Sequence, residues 1–413
     1  MGERRRIKKK KLTTNSNLYN AIFSFYITSQ MLNYSIAKKE ELCYISIIIV
    51  KKLGGVFVIK LDVKEEAELN EFLEGHPRAH FLQAPEWAKV KSEWKHEMII
   101  VRGEDNKIKG TMSILLRKVP VLKRYIMYAP RGFVGDAHDK ETFTKLTEEA
   151  KKIAKQYKAF IFRLDPDIPN DDQEFRSIIK ELGYKTKKNI HSTRQVIQPK
   201  WISRIDLRDK DEESLLKSFK EKHRYNVRLA TRKGVTIREG TREDLPLFHK
   251  IMKATEARDN FYVRPLWYFE KIWDSMSPNH IKMFIAEYEG EPISAVLPIL
   301  YGNKVWYLYG GSTNIHRNLM PNYLLQYTMM KWALENKCDY YDFRGVSGLN
   351  DENHPQRGIY IFKKGFNGDI IELIDEMYVV YNPFINTIFN IMEYVYKEIA
   401  GIRDRFKRKK IKD

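Results

Sequence analysis

The sequence predicts a mixed α/β fold built from two tandem copies of one strand–strand–strand–helix–strand unit. Three observations lead there. Helical and strand-like periodicities alternate from Val56 onward. The order strand, strand, strand, helix, strand occurs twice, about 150 residues apart. The 413 residues, 43% of them hydrophobic, suffice for two or three domains with real cores at roughly 100 to 200 residues each.

The first unit opens with Val56 to Ile59. Glu65 to Glu74 carries Ala67, Leu69, Phe72 and Leu73 at helical spacing, and Glu86 to Lys95 reads as a helix. Met98 to Arg102 and Lys109 to Leu116 read as strands joined through Glu104-Asp105-Asn106, and Tyr125 to Tyr128 as a short strand ending at Pro130. Asp139 to Gln156 is an amphipathic helix, and Ala159 to Leu164 is a strand closed by Asp165-Pro166. The second unit repeats this texture. Ile202 to Leu207 is a strand, Ser214 to Arg232 a basic helix, Val235 to Glu239 a strand and Arg242 to Ala257 a helix. Met283 to Tyr288, Glu291 to Ile299 and Lys304 to Tyr309 are antiparallel strands turning at Glu289-Gly290 and Gly302-Asn303. Asn322 to Asn336 is a long helix and Tyr340 to Phe343 a strand. Ile370 to Ile385 is apolar and strand-like, and Asn386 to Lys412 a helix with a basic end.

Charge narrows the partners. Lys+Arg number 73 against 54 Asp+Glu, a net +19. Residues 1–11 hold seven basic side chains against one acidic, and residues 401–413 seven against two, so the tails carry eleven of the nineteen. Such a balance suits nucleic acid, phosphorylated substrates or an anionic membrane surface. Two cysteines, Cys43 and Cys338, are too few for a disulfide framework and point to a reduced cytoplasm. The apolar run Tyr44 to Val50 falls short of the ~20 residues of a spanning helix. Residues 1–55 read as an extension before the folded domains, with their order left open.

Familiar cofactor signatures are missing from the sequence. There is no HExxH pair, no Cys or carboxylate cluster at ligand spacing, and no G-x-G-x-x-G or Walker loop, so no metal or cofactor is expected. In an acyltransferase-like unit, a coenzyme A pyrophosphate would need a glycine-rich loop before the Asn322 helix. That stretch reads His316-Arg-Asn-Leu-Met-Pro321, without a glycine, so another activated acyl donor is required. Arg224, Arg228 and Arg232, four apart, form a positive stripe on one helical face, either a solvated surface or a phosphate contact.

Several motifs in register resemble the FemABX family of peptidoglycan aminoacyltransferases. They are Phe81-Leu-Gln83 with Trp87 and Lys91, Tyr128-Ala-Pro130-Arg-Gly132, and the Lys222 to Gly234 helix. Arg258-Asp-Asn-Phe261, Tyr307-Leu-Tyr309-Gly-Gly-Ser312, Tyr341-Asp342-Phe-Arg-Gly345 and Phe362-Lys363-Lys-Gly-Phe366 follow in that family's order. The resemblance spans Val56 to Tyr381. It implies two tandem GNAT-like acyltransferase domains with a groove between them, one of residues 56–200 plus 366–413 and one of 201–365. Because Arg232 to Val235 runs straight into the next strand, no coiled-coil arm is expected.

The same resemblance implies transfer of an amino acid from aminoacyl-tRNA to the stem-peptide amine of lipid II or UDP-MurNAc-pentapeptide. Apart from the resemblance, the basic end of the C-terminal helix reads either as a solvated charge run capping an ordinary helix or as an interfacial helix in peripheral contact with an anionic membrane. The resemblance also implies that Lys91 and Arg258 grip the substrate pyrophosphate, with Tyr262, Tyr309 and Tyr128 as aromatic contacts. Asp136 would orient or deprotonate the amine, Lys363 would stabilise the oxyanion as a fixed positive charge, and Arg224, Arg228 and Arg232 would meet tRNA phosphates. Two rivals remain: the same fold with another donor or acceptor, and a non-catalytic basic RNA-binding protein.

Overall fold

The computed structural model describes residues 56–58, 63–187, 197–259, 262–347, 349, 352, 354 and 356–410, all within one compact unit. The extension expected over residues 1–55 lies outside the described residues. In chain order the strands are β1 (Val56–Val58), β2 (Lys95–Arg102), β3 (Ile108–Val119), β4 (Arg124–Ala129), β5 (Val134–Gly135), β6 (Ala159–Leu164) and β7 (Lys185–Thr186). They continue as β8 (Trp201–Asp206), β9 (Thr236–Gly240), β10 (Met283–Tyr288), β11 (Glu291–Tyr301), β12 (Lys304–Ser312), β13 (Tyr340–Gly345), β14 (Asp369–Glu372) and β15 (Met377–Val380).

Among the described residues these strands form two sheets with matching grammar. The first runs β1-β2-β3-β4-β6-β15-β7, with β5 beside β3, and the second runs β14-β8-β13-β12-β11-β10-β9. In each, four antiparallel strands end on a parallel pair, β4 with β6 and β12 with β13. A parallel neighbour cannot be reached by a tight turn, and in both cases a long helix makes the crossover: Lys140–Tyr157 in one, Pro321–Glu335 in the other. An antiparallel strand from elsewhere in the chain, β15 or β8, then extends each sheet. This is the duplicated acyltransferase-like arrangement that the sequence predicts. The chain returns to the first sheet only after Glu372, because β14 pairs with β8.

Local chemistry explains the crossover helix of the first sheet. Asp139 caps it by accepting from the Thr142 N–H, Phe143, Leu146, Ala150 and Ile153 are buried along one face, and Lys158 ends it in the left-handed region. Three expectations are corrected. The helix expected over Ser214 to Arg232 is two helices, Glu212–Ser218 and Glu221–Arg232, because Phe219 turns extended to bury its ring against Phe366. The Glu86 to Lys95 helix stops at Val90, and Lys95 already belongs to β2. Ile370 to Ile385 divides among β14, β15 and a helix opening at Pro383, where proline needs no N–H. Helices at Gln173–Glu181, Leu266–Met276 and Arg357–Lys364 were not expected.

An apolar core common to both halves joins the sheets. Leu69, Phe81 and Trp87 pack with Phe248, Phe269 and Trp306 in one buried cluster. The Lys304 ammonium reaches across to the Pro77 carbonyl at 2.7 Å, and burial pulls its titration down to about 8. The helix Glu221–Arg232 passes through three residues into β9, with no helical arm between.

Candidate functional site

A network of buried charge lies where the two sheets meet. Arg204 on β8 sits opposite Asp342 on the neighbouring β13, and its guanidinium donates to Asp342 at 2.8 Å and to Asp167 at 2.8 Å. Burial alone would raise the Asp167 carboxyl, but Arg204 outweighs it and holds that group well below the ordinary carboxylate range. Asp165, also buried, is pushed up to about 6 despite Arg131 beside it.

Two arginines complete this centre, each in the left-handed backbone region, Arg131 at φ 52° and Arg344 at φ 60°. Neither is glycine, so the conformation needs support. It comes from carboxylates: the Arg131 N–H donates to Asp165 at 2.9 Å and the Arg344 N–H to Asp342 at 2.5 Å. The guanidinium groups themselves meet neutral oxygens, Arg131 the carbonyls of Asp165 and Pro199, Arg344 the Gln198 amide oxygen at 3.0 Å. Burial lowers the proton affinity of Arg344. Both line a small cleft with His80 and Asp167 from the first half and Arg204 and Trp306 from the second.

Lys363 stands against the same strand, β13. Its ammonium donates to the carbonyls of Phe343 and Gly345, both at 2.7 Å, and burial pulls its pKa down to about 7. The charge expected to be fixed is therefore conditional on pH. Its helix is clamped from below: the Lys220 N–H donates to the Gly365 carbonyl at 2.9 Å, and His223 Nε2 meets the Phe362 carbonyl at 2.9 Å. The His223 ring lies so close that a Cβ at residue 365 would be 1.8 Å from it, which is why glycine stands there.

Lys91 follows the short helix Pro85–Val90 and donates to the Tyr268 hydroxyl at 2.7 Å, with its ammonium over the Tyr268 ring at 4.7 Å. Burial lowers its proton affinity, and Arg264 adds to this. Arg264 covers the Tyr268 ring at 5.1 Å. Tyr309 packs edge-on against Phe269 at 5.1 Å, interacts with Tyr268, and has its hydroxyl pushed up to about 12 by burial. Arg344 lies over the Phe81 ring at 5.8 Å, Phe81 packs edge-on against Trp87 at 5.1 Å and Lys91 lies over Trp87 at 5.5 Å, so these rings link the Lys91 group to the arginine centre.

Several expected partners sit elsewhere. The arginine beside Lys91 is Arg264 and not Arg258, whose guanidinium braces the end of β12 through the Ser312 carbonyl at 3.1 Å and Asn314 at 3.1 Å. Tyr262 is 75% exposed. Tyr128 is no groove residue: its ring is buried and its hydroxyl donates to Asp165 at 2.7 Å. Asp136 is exposed, accepts from the His138 N–H at 2.9 Å, and faces His76, Arg78 and His138 instead of the Lys363 group. Arg224 donates to the carbonyls of Lys217 and Phe219, tying off the preceding helix, which leaves Arg228 and Arg232 as the exposed members of the stripe.

Sequence reading missed Arg131, Arg204, Arg264, Arg344 and Tyr268. Arg131 and Arg344 each stood inside a quoted motif, before Gly132 and Gly345, and an arginine in a strand-end turn next to glycine was the available signal. Among the described residues, Lys91, Arg131, Arg344 and Lys363 make no side-chain ion pair with a carboxylate, and no group of His, Cys, Asp and Glu could hold a metal. The arrangement is suited to receiving negative charge.

Known proteins resemble the chain over most of its length. Residues 64–290 and 278–397 match the FemAB family. The lipid II:glycine glycyltransferase of Staphylococcus aureus (strain USA300) is 30% identical over 414 residues, covering 83% of this chain and 98% of that protein. A crystal structure of FemX superposes with a TM-score of 0.74 at 29% identity, covering 78% of this chain and 98% of that one.

Proposed function

The chain belongs to the FemAB family, and from this premise we propose that it is a tRNA-dependent aminoacyltransferase that adds an amino acid to the stem-peptide amine of lipid II. Its relative's name supplies the acceptor and suggests glycine as the amino acid. The observation that carries the reading is the set of cations, Lys91, Arg131, Arg344 and Lys363, gathered where the sheets meet and making, among the described residues, no side-chain ion pair with a carboxylate. Such a set favours a substrate with a pyrophosphate and a reaction that creates an oxyanion.

In this mechanism the neutral amine attacks the carbonyl carbon of the aminoacyl ester. The tetrahedral oxyanion forms near Lys363, the carbon–oxygen bond to the ribose breaks, and the proton lost by the amine ends on the departing ribose hydroxyl. Lys363, held by two carbonyls, is already desolvated and oriented, so little reorganisation is needed when charge develops. Lys91, with Tyr268, Tyr309 and Arg264, holds the pyrophosphate of the acceptor. Exposed Arg228 and Arg232, with Lys220 and Lys222, meet tRNA phosphates from the far side of the clamp on Lys363. The enzyme works at the membrane face that carries its acceptor.

The test is transfer of labelled amino acid from charged tRNA to lipid II and, separately, to the soluble UDP-linked precursor. Label in the acceptor that RNase prevents supports the reading. Transfer from a different acyl donor, or tight RNA binding with no product, supports one of the rivals.

A further inference from the structure

The helix Pro383–Lys410 has two apolar faces, and the fold uses one of them. On the inner side Phe389 packs on Phe160 with ring centroids 5.3 Å apart, and Ile385 and Met392 are half-buried. On the outer side Phe384 is 73% exposed, Ile391 59% and Tyr394 66%, with Val395 beside them. Positions 384, 388, 391 and 395 form one stripe at helical spacing, and in the sequence the same spacing continues through Ile399, Ile402 and Phe406. The exposed part of this stripe, Phe384, Ile391, Tyr394 and Val395, marks an interaction surface.

Charge identifies the partner. The last turns of this helix carry Arg403, Arg405, Lys407, Arg408, Lys409 and Lys410 against Asp404. No helix among the described residues is long and apolar enough to cross a membrane. An outward stripe of Phe, Ile, Tyr and Val that runs into a cluster of cations has the composition of a helix that lies in a bilayer interface, with aromatic rings at the headgroup level and cations on anionic lipid.

We infer that the helix Pro383–Lys410 docks the enzyme on an anionic lipid surface through Phe384, Ile391, Tyr394 and Val395, with its basic end drawn to the headgroups. The surface deepens the proposed function, resting on it only for the reason a membrane would be sought. Because the helix packs on β6 of the first sheet through Phe389 and Phe160, docking it would set the height and orientation of the site above the lipid.

The experiment is flotation of the full chain with vesicles that contain no acceptor, so that its outcome is independent of the transfer reaction. Mixed phosphatidylglycerol–phosphatidylcholine vesicles should retain at least about tenfold more protein than phosphatidylcholine alone, and rising salt should weaken retention. Ile391→Glu with Tyr394→Glu should reduce retention at least about tenfold, because a charge on the inserted face must be desolvated. Both positions are exposed, so the variant should keep the wild-type melting temperature. Equal retention on both vesicle types, or a double variant that floats like the wild type, would overturn the inference. So would a concentration-dependent dimer that the double variant abolishes, which would assign the stripe to a second copy.

Discussion

Replacing Lys363 with methionine removes a buried charge while keeping the shape of the side chain, and its effects on stability and catalysis should separate. In the folded protein the Lys363 pKa is about 7, against an ordinary value of 10.5. Between those limits the unfolded chain binds the proton and the folded chain does not, so this group makes stability rise with pH. The burden is fully present below pH 7, where it corresponds to roughly 5 kcal/mol at about 1.4 kcal/mol per tenfold change in proton affinity. Methionine removes that burden but leaves the Phe343 and Gly345 carbonyls without a donor, at about 1–3 kcal/mol each. The two effects nearly offset, and at about pH 6 the variant should lie within roughly 2 kcal/mol of wild type. The pH dependence is the sharper readout. From about pH 6 to about pH 9 the wild type should gain roughly 3 kcal/mol relative to Lys363→Met in urea unfolding. Below about pH 7 activity should fall by about 10² to 10³, as for loss of one preorganised oxyanion donor, and the deficit should shrink as Lys363 of the wild type loses its proton above that point. Parallel stability profiles for the two proteins would refute the reasoning, because a lysine that stays ordinary in the folded state contributes no such slope.

Activity of the wild type should decline as pH rises through about 7, since oxyanion stabilisation needs the protonated Lys363, and a profile still climbing well above that point would contradict the role. Gly365→Ala should lower stability by about 1–3 kcal/mol through overpacking on His223, and the loss should shrink in a His223→Ala background, which equilibrium unfolding of the four proteins would measure. Lys91→Ala should raise the KM for the acceptor by about tenfold or more with a smaller effect on kcat, and Arg264→Ala should do the same while Arg258→Ala mainly lowers thermal stability. Asp136→Asn should keep activity within about tenfold of wild type in steady-state kinetics, given its exposed position beside His138.

The duplicated strand order was legible because hydrophobic periodicity and turn residues are local. The Glu289-Gly290 turn and the alternation in β10 to β12 are written in adjacent positions. The break at Phe219 was not legible, since Ser214 to Arg232 is helical by propensity and only the distant Phe366 ring gives Phe219 a reason to leave the helix. The same holds for the Ile370 to Ile385 segment, whose two strands serve different sheets. At the site, motif position singled out Lys91, Tyr309 and Lys363, which the structure sets against Tyr268, Phe269 and β13 respectively. It paired Lys91 with Arg258 because spacing along the chain does not report which arginine folds back over Tyr268. The carboxylates that support Arg131 and Arg344 come from β6, β13 and their ends, and their meeting is a property of two sheets packed together, invisible in either stretch alone.

On the proposed function, this fold transfers an amino acid from tRNA to a lipid-linked peptide amine by way of Lys363. Incubating lipid II with tRNA charged with labelled glycine, beside wild-type protein and a folded Lys363→Met variant, tests it directly. Label should enter lipid II with the wild type, not after RNase treatment of the tRNA, and at least about a hundredfold less with the variant. Equal labelling by the two proteins would remove Lys363 from the chemistry, and absence of label from every charged tRNA with a folded, tRNA-binding enzyme would contradict the function itself.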